Sequence, residues 1–150
     1  MGTAKLIGIG LFILFTLPAL VAASDRRNTH DLFHLTLAVA GLVWAMMAGG
    51  IHALLLALGS GALVLVLLAS TVALTQRQWR RRALTGGEIK FATAAAIWLL
   101  PIEAVVAMIF AAFAMIAWIF FKKALAGHVS RPDVAPFVAI AVLFTAALNR

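Results

Sequence analysis

The sequence predicts an all-α integral membrane protein, a bundle of six transmembrane helices with both termini on the periplasmic side. Its composition is the first reason: 65% of the 150 residues are apolar and 11% are charged, with a mean hydropathy of +1.10. A soluble domain carries roughly twice that share of charged residues. The apolar residues also fall in long runs, and a spanning helix needs about 20 of them. A third reason is that the basic residues gather in a few short segments between the runs.

The first three apolar runs are interrupted by short polar segments. They cover residues 6–23, 32–48 and 53–74. The interruptions begin with Ser24-Asp25-Arg26-Arg27 after the first run, Gly49-Gly50-Ile51-His52 after the second and a basic stretch after the third. Each run has about the length of one bilayer crossing, so we expect three spans.

The next apolar stretch, residues 89–121, is long for one helix and short for two. The segments on either side of it, 75–87 and 122–133, are both basic. Basic segments stay in the cytoplasm, so the chain between them must cross the membrane an even number of times. Two crossings require a tight periplasmic turn, which we expect at Pro101 and Glu103 because proline lacks an N–H and disfavours helix in the residue before it.

This division gives a fourth span at residues 89–100, a fifth at 104–121 and a last one at 134–148. Arg26 and Arg27 are also expected inside, which puts both chain termini outside. A cleaved secretory signal is the alternative for the first run. We expect a retained span instead, because the run has 18 residues and its arginines follow it, whereas signal cores have about 7–15 and follow their basic residues.

The same composition excludes several classes of function. The chain has no cysteine, which excludes disulfides, thiolate catalysis and cysteine-based zinc sites. The net charge of +7 reflects the loop bias, and we expect basic residues 76–82 with Trp79 to face lipid headgroups instead of nucleic acid. His30 and His34 are spaced as a helical metal pair, to which Asp31 could add a third ligand. The fuller spacings of known sites are missing, so no metal is expected, and the histidines are expected at the membrane interface near the lipid headgroups.

The chain has five carboxylates, and four of them lie at predicted cytoplasmic ends of spans. Two of these four, Asp25 and Glu88, are the candidates for a chemical role. Asp25 closes the first span, and Glu88 opens the fourth directly after Gly86 and Gly87. Both have a structural interpretation, since carboxylates cap helices and suit the first helical turn. The two residues also have a chemical interpretation. Two carboxylates close together share a proton, so that one acts as an acid while the other acts as a base toward water.

Three motifs resemble type IV prepilin peptidases. Asp25 and the basic segment after it, followed by Leu35-Thr36-Leu37, are similar to the family's first catalytic loop. The segment Thr85-Gly86-Gly87-Glu88-Ile89-Lys90 resembles the Gly-x-Gly-Asp-x-Lys motif. Residues 131–140 resemble the family's Pro-Tyr-x-Pro-x-Ile-Ala entry into the last span. The likeness runs along the whole chain and is closest to the short form associated with tight-adherence (Flp) pili, often called TadV or CpaA.

The resemblance implies an inner-membrane, multi-pass aspartic endopeptidase of bacteria that removes the leader of prepilins or pseudopilins at the cytoplasmic face, without a cofactor. It implies that Asp25 and Glu88 are catalytic and that Gly86, Gly87 and Lys90 support them. Glu88 departs from the family's aspartate and Thr85 from its first motif glycine. A catalytically degenerate member that binds prepilin or pilus-assembly proteins is therefore the alternative. A small transporter or channel subunit ranks last, because the spans hold almost no polar residues at mid-membrane.

Overall fold

A computed structural model describes residues 3–24, 31–79, 84–126 and 132–148. The described part is all-helical and contains no strand, which confirms the predicted all-α class. Its helices are α1 (Thr3–Ser24), α2 (Asp31–Trp79), α3 (Gly86–Ala96), α4 (Pro101–Ala126) and α5 (Ala135–Leu148).

Helix α2 is bent sharply at Gly50, whose φ of 66° and ψ of −155° are not helical. A positive φ is easily adopted by glycine because it has no Cβ. The break divides α2 into an N-terminal arm, residues 31–49, and a C-terminal arm, residues 51–79. It lies in the polar interruption that separates the second and third predicted spans.

The two arms of α2 fold back toward each other. Gly41 on the N-terminal arm and Gly61 on the C-terminal arm lie about 14 and 17 Å along the helix from Gly50, at 1.5 Å per residue. Side-chain atoms of Ile97 nevertheless come within 3.0 Å of the Cβ position of Gly41 and within 2.9 Å of that of Gly61. Because one side chain contacts both arms, α2 is a helical hairpin.

Helix α3 supplies the centre of the core and packs most extensively on α2. Its buried residues are one phenylalanine, Phe91, and four alanines. Small side chains let neighbouring helix backbones approach closely, and this explains how one short helix contacts both arms of α2 as well as α5. Helix α5 adds a second buried face to the same core, formed by Ala135, Val138, Ala139, Ala141, Val142 and Thr145.

The outer surface of the bundle is apolar. Two helical stretches, Asp31–Arg77 and Pro101–Leu125, are long and apolar enough to cross a membrane by length and composition. Only 22% and 17% of their most apolar segments are buried inside the protein. A helix in the core of a soluble protein would be mostly buried, so these exposed faces favour contact with lipid or with another protein.

The turn between α3 and α4 lies earlier than predicted. Pro101 is the first residue of α4, and α3 already ends at Ala96. Proline fits the first helical position well, because that N–H has no intrahelical partner in any case. The carbonyl of Leu99 in the turn accepts a hydrogen bond of 2.8 Å from the buried Ser60 hydroxyl. This bond satisfies a backbone group that would otherwise be costly to bury.

Other helix ends also differ from the apolar runs. Helix α2 continues to Trp79, and α4 continues to Ala126, past Lys122 and Lys123. Lysine and arginine are good helix formers, and their long side chains can reach away from an apolar surface. The helices therefore extend beyond the residues that hydropathy marks.

Candidate functional site

Glu88 lies in the first turn of α3, where it completes a capping box. The Thr85 hydroxyl accepts a hydrogen bond of 3.3 Å from the Glu88 N–H, and the Glu88 carboxylate accepts one from the Thr85 N–H. Each bond satisfies a backbone donor that the helix start leaves without a partner. The structural interpretation of Glu88 as a first-turn carboxylate is thus confirmed. Thr85 at the first position of the motif is explained by its role as the N-cap of α3.

Lys90, two residues after Glu88, forms an ion pair with Asp31 in the first turn of α2. The Lys90 ammonium lies 2.7 Å from Oδ1 and 2.8 Å from Oδ2 of Asp31. The two side chains are 53% and 77% exposed. An exposed pair of this kind contributes only about 0–1 kcal/mol to stability. The ion pair instead fixes a position, because it joins the start of α2 to the start of α3.

Asp25 lies outside the described residues. The described chain ends on one side at Ser24, the last residue of α1, and resumes at Asp31, the first residue of α2. The pairing of Asp25 with Glu88 therefore stays a prediction.

The two motif glycines also occupy the start of α3. Gly86 is its first residue, and a Cβ placed there would have no described atom within 4 Å. Close approach of a neighbouring helix therefore does not require glycine at this position in the described part of the chain. Gly87 follows in the same turn and is half-buried.

His34 was expected at the membrane interface, but the structure buries it. It lies one helical turn after Asp31, is 6% exposed, and contacts the ring of Phe91 edge-on at 6.1 Å between centroids. Lys90 and Phe91 thus place α3 against the same face of the N-terminal arm of α2. Within the described ranges, no three histidine or acidic side chains are grouped to hold a metal ion.

The side chains of Glu88 and Lys90 are thus brought to one end of the bundle together with those of Asp31 and His34. The sequence suggested Asp31 only as a candidate third metal ligand beside His30 and His34, and the predicted site did not include it. A signal was available, since Asp31 and Lys90 have opposite charges and both begin a span on the same predicted side. Comparisons with protein-family models, curated proteins and solved structures found no match.

The capping box leads to a stability prediction. We expect Thr85→Ala to lower the free energy of unfolding by about 1 kcal/mol, because the Glu88 N–H loses its acceptor. Thr85→Ser keeps a hydroxyl and should stay close to the wild type. Thermal unfolding of the purified protein in detergent, followed by circular dichroism, measures the difference. Equal stability of the alanine and serine variants would contradict a cap at this position.

Proposed function

We propose that the protein is a membrane-embedded aspartic-type endopeptidase that removes the leader of type IV or Flp prepilins at the cytoplasmic face of the bacterial inner membrane. In this proposal α1, the two arms of α2, α3, α4 and α5 are the six spans, and both termini are periplasmic. Asp25 and Glu88 are the catalytic pair.

The ion pair between Asp31 and Lys90 is the observation that carries the proposal. Asp25 precedes Asp31 by six residues, and an extended chain covers at most about 3.5 Å per residue. The proposal requires that the six-residue step between them, at most about 20 Å of chain, brings Asp25 to the start of α3. Since Asp31 is bound to Lys90 at the start of α3, this distance supports an approach of Asp25 to Glu88, two residues before Lys90.

The chemistry follows from one proton held between two carboxylates. The ionised carboxylate takes a proton from a water molecule as the water oxygen bonds to the scissile carbonyl carbon. The protonated carboxyl group gives its proton to the amide nitrogen as the carbon–nitrogen bond breaks. The products are a free leader carboxylate and a free amine at the new N-terminus of the pilin.

Glu88 can serve both the helix and this reaction. A carboxylate has about four acceptor positions, so the bond from the Thr85 N–H occupies only part of its capacity. That bond also orients the carboxylate at the edge of α3.

The capping box favours a second candidate as well. A Glu88 whose only task is to stabilise the start of α3 fits a catalytically degenerate protein that binds prepilin or pilus-assembly proteins. Glu88→Gln distinguishes the two, because glutamine also occurs in capping boxes but cannot act as a base. Pilus assembly that survives Glu88→Gln but fails when the protein is deleted would favour the binding protein.

Co-expression tests the proposal directly. The protein is produced together with a Flp-type prepilin in bacteria that lack other prepilin peptidases, and mass spectrometry determines the N-terminus of the pilin. We expect leader removal that depends on the protein. An intact leader in membranes that contain the folded protein would overturn the peptidase proposal.

A further inference from the structure

A cavity of about 290 Å³ lies at the other end of α3 from Glu88. Its walls come from α1, both arms of α2, α4, α5 and the turn after α3. We name it the tryptophan cavity, after Trp44 and Trp98, which line it. Helix α3 has 11 residues, which separates its two ends by about 16 Å. The cavity is therefore distinct from the proposed catalytic pair.

The tryptophan cavity lies between two parts of the buried core. Within the described part of the chain, most buried apolar residues form one cluster, and Phe12, Leu99 and Val142 of this cluster line the cavity. A smaller, separate cluster has three buried residues, and all of them line the cavity: Ala45, Ala57 and Ile97. Protein interiors are close-packed, with few voids larger than a water molecule. A void of this volume between two buried clusters indicates a place for a ligand.

The lining of the cavity disfavours water as the occupant. A buried water molecule needs about two to four polar partners. Among the described side chains that line the cavity, only those of Glu103 and the two tryptophans carry polar atoms. Nε1 of Trp98 already donates a hydrogen bond of 3.1 Å to the Leu37 carbonyl, and Oε2 of Glu103 accepts one of 3.1 Å from the Leu100 N–H. Because these groups are engaged within the chain, the cavity suits an apolar ligand.

Packing holds both tryptophan side chains in place. The Trp44 indole lies against Gly8, with its Nε1 only 2.9 Å from where a Cβ on Gly8 would stand. Trp98 packs edge-on against Phe12, at 5.6 Å between ring centroids. Walls that are already ordered lower the cost of binding.

The cavity reaches the outer surface of the bundle beside the start of α4. Leu100, which lines it there, is 51% exposed, and the neighbouring Ile102 is 80% exposed. On the other side, Ala57 and Val142 are buried. A ligand can therefore enter from an apolar part of the surface and extend toward the two arms of α2.

We propose that the tryptophan cavity holds one acyl chain of a membrane phospholipid. An apolar cavity of about 150 Å³ accommodates benzene, so about twice that volume holds a chain segment of several methylene groups. Such a segment would supply the dispersion contacts that the two clusters lack across the void. In the proposed membrane placement, lipid chains are the apolar molecules that meet the exposed Leu100 and Ile102. The inference rests on that placement and not on the peptidase chemistry.

Brominated acyl chains provide the test, because bromine quenches the fluorescence of an indole only at close contact. The substitutions Trp79→Phe and Trp118→Phe leave Trp44 and Trp98 as the only tryptophans of the chain. This protein is placed in nanodiscs of phosphatidylglycerol with either plain or brominated chains. We expect a loss of tryptophan emission in the brominated nanodiscs.

Variants that fill the cavity separate a chain inside it from lipid on the outer surface. Ala57→Leu and Ala146→Leu add volume to the lining from two different helices, and each should restore part of the quenched emission. Ala147→Leu makes the same change at an exposed neighbour that does not line the cavity, and it is the matched control. Its quenching should equal that of the unfilled protein. Either filling variant decides the test if the other does not fold.

Three results would overturn the inference. One is that brominated chains do not quench the emission of the folded protein. Another is that the folded filling variants are quenched as strongly as Ala147→Leu. The third is quenching by water-soluble acrylamide without quenching by the brominated chains, which would show a cavity filled with water. Leader removal is measured separately, so a protein that is quenched as expected but cleaves no prepilin keeps the acyl-chain site and loses the peptidase proposal.

Discussion

Asp25→Asn is expected to abolish the proposed leader removal. The amide of asparagine has nearly the shape of the carboxylate but cannot exchange a proton with water or with the leaving amine. General acid–base catalysis contributes about 10²–10⁴-fold to a rate, and loss of one member of a proton-sharing pair removes that contribution. The rate is measured from the conversion of full-length to processed prepilin in isolated membranes.

Asp133→Asn is the matched control for this loss. Asp133 also belongs to a predicted cytoplasmic segment, where its Oδ1 accepts a hydrogen bond of 2.9 Å from the Ala135 N–H at the start of α5. Asparagine caps helices as well as aspartate does, so normal cleavage is expected. Cleavage at the wild-type rate by Asp25→Asn would show that Asp25 is not part of the catalytic pair.

Glu88→Asp introduces the aspartate of the prepilin peptidase motif that the sequence resembles. Aspartate is shorter by one methylene group, and a displacement of about 1 Å at a catalytic group can change a rate by about 100-fold. If α3 has shifted to suit glutamate, this variant cleaves more slowly than the wild type. A large gain in cleavage would instead mean that the natural glutamate limits the proposed activity.

Gly41→Leu is expected to have the largest effect on stability. Gly41 is buried, and a Cβ at this position would lie 2.8 Å from Nε1 of Trp98 and 3.0 Å from Cγ2 of Ile97. The Trp98 indole does not move easily, because it is held by its hydrogen bond to the Leu37 carbonyl. Overpacking a closed helix interface costs about 1–3 kcal/mol or more. Loss of the contact between α2 and the turn after α3 should lower the thermal midpoint measured by circular dichroism in detergent.

Gly59→Leu is the matched control on the same helix. A Cβ on Gly59 would have no described atom within 4 Å, and the residue is exposed on the apolar surface. Leucine favours helix over glycine by nearly 1 kcal/mol, so this variant should be as stable as the wild type or slightly more stable. Equal midpoints for Gly41→Leu and Gly59→Leu would show that Trp98 does not pack closely on Gly41.

Composition and hydropathy predicted the helical class and placed a break in the interruption that contains Gly50. Hydropathy did not predict the ends of α2 and α4 correctly. A helix requires residues that readily adopt helical backbone angles, and these residues need not be apolar. Arg77, Lys122 and Lys123 therefore continue their helices. Pro101 was placed in the turn because proline ends helices, whereas here it begins one.

At the candidate site, the sequence located the start of α3 and the first-turn role of Glu88. It did not predict the Asp31–Lys90 ion pair, because 59 residues separate the partners and only the folded hairpin of α2 brings them together. The burial of His34 was missed for a similar reason. Its contact with Phe91 depends on the side of α2 that faces α3, and hydropathy does not reveal this when most faces of a helix are apolar.

In the proposed arrangement of six spans, the bend at Gly50 restricts how the chain can enter a bilayer. Because one residue joins the two arms of α2, the orientation of one arm determines that of the other. An arm that folds back on the first must end at the leaflet where the first arm began. Asp31 and Arg77, at the far ends of the arms, are thereby kept on one side whichever way the pair is inserted. An added charge that inverts one arm during synthesis must invert the other with it.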